Sequence, residues 1–158
     1  MIFTLTDRLT IETATGEILA TAIIRPDKWP QIKEVCPEWF EEWGDQRLWQ
    51  AIRVTVNEST GFCDPHAVEK YLRERWPDET DGIIAKWGVY YDRFVHPEHL
   101  LFHLGVLQEN GVRNALFCWT TRIQKGCREN YPLKKLEEMV INPPEFGRGG
   151  ESNEQRQS

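Results

Sequence analysis

Apolar residues recur at three- and four-residue spacing along most of this chain, the period of helices buried on one face. After Gly16, Ile18, Leu19, Ala22 and Ile23 fit a helix, and Pro26 can open a second short one that Pro37 closes. Asp45 is placed as the N-cap of a helix over 46–57 that carries Leu48, Trp49, Ile52 and Val56 on its inner face. Asp64-Pro65 repeats a cap-then-proline start, for a helix with Val68, Tyr71 and Leu72 inward until Trp76-Pro77. A shorter helix over 81–90 follows. Only residues 1–16 break the pattern: IFTLTDRLTIET alternates loosely and is rich in Thr and Ile, which predicts an extended arm or short strand.

The longest periodic stretch is 97–128. Leu100, Leu104 and Leu107 form one stripe, and Val112, Leu116, Trp119 and Ile123 a second. The extra residue at Gly111 rotates the second stripe by about 100° and marks a bend or a phase change there. Phe102, Val106 and Phe117 lie off both stripes, as on a helix that meets layers or partners on several sides. LKKLEEMVI gives a last helix, which Pro143-Pro144 must stop, and 143–158 reads as a disordered polar tail. The expected architecture is all-α: a head over 17–95 and a helical hairpin over 96–142.

Composition narrows the function classes. The 158 residues suffice for one domain with its own core. A formal charge of -6, from 25 acidic and 19 basic residues, disfavours a broad nucleic-acid footprint. No apolar run approaches the roughly 20 residues of a membrane span, and the N-terminus lacks the pattern of a signal peptide, so a cytoplasmic location is expected. The four cysteines, Cys36, Cys63, Cys118 and Cys127, form no CxxC pair and read as free or buried thiols.

Candidate chemistry is thin. His96, His99 and His103 come near the spacing that presents imidazoles to a metal, which defines a small metal-dependent enzyme as one alternative. No third ligand follows at that spacing and no HExxH occurs, so surface or capping histidines are the commoner reading. Cys63, Asp64 and His66 supply the residue types of a nucleophilic site, but Asp64 is explained more simply as a cap. Glu41, Glu42, Glu137 and Glu138 read as solvated faces rather than catalytic pairs. No phosphate loop is present, and no cofactor is expected.

The segments IIRPDKW, PEWFEEWGDQRLWQAI and DPHAVEKYL, in that order, resemble the N-terminal domain of DnaB-type replicative helicases over about 18–141. Asp27 and Trp29 fit the first part, Pro37, Glu38, Phe40, Ala51 and Ile52 the second, and Asp64, Val68 and Leu72 the third. Asp45 stands where that family usually has His, and Pro143-Pro144 shortens the return arm of the hairpin. The sequence also stops where the family continues into its ATPase domain, as an excised domain or a stand-alone relative would, and its polar ending favours a stand-alone relative of phage or mobile-element origin.

The resemblance implies a non-catalytic module of DNA replication whose hairpins pair into a collar and receive a primase. A replicative helicase, a primase or a second copy is then the expected partner, with a helicase loader or inhibitor as the nearest alternative. Direct nucleic-acid binding is not expected. Leu100, Leu104, Leu107, Leu116 and Trp119 are the expected interface, because large apolar anchors dominate such contacts. Trp39 and Trp43, where the resembled family is usually not tryptophan, are added as candidate partner contacts.

Overall fold

A computed structural model describes residues 5–93 and 97–144. Among the described residues the chain forms seven α-helices and no strand. They are α1 (Leu5–Ile24), α2 (Trp29–Ile32), α3 (Trp43–Thr55), α4 (Pro65–Arg75), α5 (Thr80–Arg93), α6 (Leu100–Arg128) and α7 (Leu133–Ile141), with short 3₁₀ turns at Pro26–Lys28, Pro37–Trp39 and Pro97–His99. No described helix is long and apolar enough to cross a membrane.

The expected arm over 1–16 is corrected: from Leu5 onward it is helix, continuous through Gly16. The centre of α1 has almost no outer face, while Arg8, Leu9 and Glu12 nearer its start are exposed. Every residue from Ala14 to Ala22 is buried, including Thr15, Glu17 and Thr21. A helix enclosed on all sides shows no amphipathic period. α1 is therefore the axis of the head, with α6 and α5 as its main neighbours and α2 and α3 also against it.

Around this axis the head is pinned by tryptophans whose indole N–H groups are satisfied. Trp49 Nε1 donates to the Val35 carbonyl at 2.7 Å, and Trp87 Nε1 to the Leu19 carbonyl at 2.9 Å. Trp29 Nε1 donates to Glu58 at 2.9 Å, tying α2 to the loop after α3. Trp29 and Phe40 each sit 5.8 Å from Trp49, centroid to centroid, in tilted packing. The loop 57–62 turns at Gly61, whose φ is 71°, with the glycine pressed so close to Trp29 and the Pro26 carbonyl that no side chain fits.

Two caps were expected and one is found. Asp64 Oδ1 accepts from the His66 backbone N–H at 3.0 Å and starts α4. Asp45 is not a cap: α3 begins two residues earlier, at Trp43, without a side-chain cap. Asp45 lies in the first turn, buried, and faces Lys86 at 3.2 Å and the Tyr90 hydroxyl at 3.3 Å, both on α5. Glu42 completes the cluster by pairing with Lys86. An Asp in a first turn also matches the helix dipole, so the sequence signal for the terminus was right and its role was not.

α6 runs unbroken through Gly111. The phase change there marks a change of neighbour. Before it, Leu100, His103 and Leu107 are buried in the head, and Gly111 itself receives the indole of Trp39. Beyond it, α6 leaves the head and meets α7. Asn130, at a φ of 54°, ends α6; Tyr131 N–H donates to the Gly126 carbonyl at 2.9 Å, closing a Schellman turn that sends α7 back along α6. Hence the hairpin is not separate from the head, because the first half of α6 is head core.

Candidate protein-docking surface

Five of the seven expected interface residues lie on α6 and divide by which part of it carries them; Trp39 and Trp43 lie before and at the start of α3. Leu100 and Leu107 are buried in the head, and Leu104 is half-buried against the same core. They hold α6 to α1 and face no partner, which corrects that expectation. Trp39 is likewise corrected: it is 7% exposed, its ring lies on Gly111, and its carbonyl accepts from Asn110 Nδ2 at 3.4 Å. Trp119 is half-buried in the hairpin seam, where its Nε1 donates to the Met139 carbonyl at 2.8 Å. Leu116 and Trp43 remain exposed, as a contact residue must be before its partner arrives.

The outer hairpin carries further apolar groups that the stripe reading did not include as contacts. Phe117 on α6 is exposed, and so are Leu133, Val140 and Ile141 on α7. Leu133 is 77% and Ile141 74% exposed, and none of the residues of α7 is buried. A helix of nine residues is too short to be stable alone. It is held by Trp119 and by Leu136, which packs against Gly126. Phe117 was legible as an off-stripe residue; the α7 residues were not, because a short amphipathic helix reads as a covered one.

The surface around these groups is basic. Residues 112–142 hold Arg113, Arg122, Lys125, Arg128, Lys134 and Lys135 against Glu129, Glu137 and Glu138. The acidic balance of the whole chain therefore resides in the head. Cys118 and Cys127 are exposed on this hairpin as free thiols.

Trp43 belongs to a second surface. At 73% exposure it stands at the start of α3, with the Arg47 guanidinium 5.6 Å from its ring and 5.0 Å from that of Trp76. Arg47 also pairs with Glu79, so its charge is already answered. Trp43, Arg47 and Trp76, with Cys36, Gln50 and Arg53, line an open groove of about 570 Å³.

The other candidates do not assemble. His99 is exposed while His103 is buried against α1, and His96 lies outside the described residues. Among the described residues, no three His, Cys, Asp or Glu side chains come together as a metal site. Burial pushes the Cys63 thiol up to about 12, with Asp64 adding to the effect, so the thiolate needed for nucleophilic attack is not available near neutrality. Glu41, Glu137 and Glu138 are exposed.

No family model, no curated protein and no solved structure matches this chain.

Proposed function

We propose that this chain is a non-catalytic protein-interaction module of DNA replication, which docks on a replicative helicase or a primase, or pairs with a second copy, through the outer half of its α6–α7 hairpin. The observation that carries the reading is the division of α6. Its first half is consumed by the head, while its second half has, among the described residues, only the nine-residue α7 beside it and leaves Leu116, Phe117, Leu133, Val140 and Ile141 exposed. Several exposed large apolar side chains on one hairpin, with charged residues among them, are the kind of surface that marks interaction sites. The motif likeness to the N-terminal domains of DnaB-type helicases supplies the process and the partner class.

The basic rim favours an acidic or mixed partner face and steers its approach. Size-exclusion chromatography with light scattering, run on the chain alone and with the replicative helicase and primase of its host, tests the reading. Self-association or a complex with either protein is expected. A chain that stays monomeric and joins neither overturns it.

A further inference from the structure

Among the described residues of α1 to α5, Trp43 is the most exposed large apolar side chain. It opens a row on α3: Trp43, Arg47, Gln50 and Arg53 follow at spacings of four, three and three, which places them on one face of the helix. All four line the groove that Trp43 shares with Trp76. Its other wall is Cys36, Pro37 and Glu38, from the turn before α3. From Trp43 to Arg53 the helix rises about 15 Å. An extended peptide covers about 3.3 Å per residue, so about four or five residues match that length.

The two ends of the row offer different chemistry. At one end the Arg47 guanidinium is held between the rings of Trp43 and Trp76 and is paired with Glu79, which leaves aromatic surface and no unanswered charge. At the other end Arg53 is exposed and makes no ion pair with a described residue. Gln50, between them, is half-buried and makes no hydrogen bond with a described residue, so its carboxamide is open to a donor and an acceptor at once, as a peptide backbone presents them. A nucleic-acid strand would bring a phosphate with every nucleotide and needs a run of Lys and Arg. Here Arg53 stands without such a run, and the Glu38 carboxylate is on the other wall.

We propose that this groove binds a short extended peptide segment of a partner protein, with an aromatic side chain on the exposed ring of Trp43 and an aspartate or glutamate four or five residues away paired with Arg53. The Gln50 carboxamide bonds the peptide backbone between the two. Rings supply contact area at low entropic cost, and the single guanidinium fixes the direction in which the peptide lies. No residue of the α6–α7 hairpin lines this groove, so the docking is independent of the partner contact proposed above.

The test selects random heptapeptides displayed on phage against the full chain and measures the enriched sequences as fluorescein-labelled peptides by anisotropy. They should share an aromatic and an acidic residue four or five positions apart. Trp43→Ala should weaken their binding tenfold or more, as loss of an anchor does, and Arg53→Gln about two- to fivefold, the factor an exposed ion pair is worth. Arg53→Glu should prefer the peptide whose acid is replaced by lysine. Leu116→Ser/Phe117→Ser should bind the peptides as the wild type does. Both groove side chains are exposed, so circular dichroism of the variants should be unchanged. Selected peptides without a shared acid, no selected peptide, or binding lost in the hairpin variant and kept in Trp43→Ala would overturn the proposal. So would an oligothymidylate that binds more tightly than the peptides and loses affinity in Trp43→Ala, which would assign the groove to nucleic acid.

Discussion

Gly111 has no side chain, and Trp39 occupies the space. A Cβ on Gly111 would fall 2.9 Å from Trp39 Cγ, closer than folded proteins permit, and 3.2 Å from its Cα, tighter than most real contacts. The pair joins the turn before α3 to the middle of the longest helix, at the point where α6 leaves the head.

Gly111→Ala should therefore destabilise the protein, although alanine favours helix by about 1 kcal/mol. Overpacking of about 1–3 kcal/mol outweighs that gain. Gly88→Ala, where the added Cβ meets nothing within 4 Å, should stabilise by up to about 1 kcal/mol. Urea unfolding of the two variants gives opposite signs on this account and the same sign if Trp39 simply moves aside.

Burial pushes the Asp45 carboxyl above the ordinary carboxylate range, while Lys86 and Tyr90 pull it back. Lys86→Met leaves that buried carboxylate with the Tyr90 hydroxyl alone and should cost about 1–2 kcal/mol at neutral pH, the lower part of the usual range because Lys86 is partly exposed. A carboxyl raised in the folded state takes its proton before the unfolded one does, so the cost should shrink as pH falls toward 5. A cost independent of pH would contradict this account of the cluster.

Burial lowers the affinity of His103 for its proton, and His99 acts in the same sense, while the Glu17 carboxylate partly offsets both. A histidine depressed in the folded state contributes stability above its ordinary value near 6.5 and loses it as pH falls through the folded value. Wild-type stability should fall below about pH 6.5 more steeply than that of His103→Gln. Equal slopes in urea midpoints between pH 7.5 and 5 would show that His103 is not the group responsible. Asp45 works in the opposite sense over acid pH, and the paired comparison removes its contribution.

Leu116→Ser and Phe117→Ser remove apolar groups that are already in water, so each should change folding stability by no more than about 0.5 kcal/mol. Leu107→Ala, about two and a half turns earlier on the same helix but fully buried, should cost about 2–5 kcal/mol. Thermal unfolding separates the two groups, and a large loss in the serine variants would place those residues in a core.

What the sequence disclosed was local. Asp64-Pro65 marks the start of α4 because cap and proline act through neighbouring backbone groups, and Leu48, Trp49 and Ile52 mark one face of α3 because that helix has a wet side. The first half of α1 was missed because its Thr-rich alternation imitates a strand, whereas Ile18, Leu19, Ala22 and Ile23 marked its second half. The break at Gly111 was visible as a phase shift, but a shift does not say whether the helix bends or changes neighbour; Trp39, seventy-two residues away, decides that. For the same reason Leu100 and Leu107 were assigned to an interface, since a stripe shows that a face is covered and not by what.

The central claim is that the outer hairpin is where a partner binds, and sedimentation velocity with Leu116→Ser/Phe117→Ser beside the wild type tests it most directly. The wild type should sediment as a complex with helicase, primase or a second copy, and the double variant, equally folded, should lose that complex by tenfold or more in affinity, as apolar hot spots do. Identical sedimentation of the two proteins in every mixture would contradict the claim.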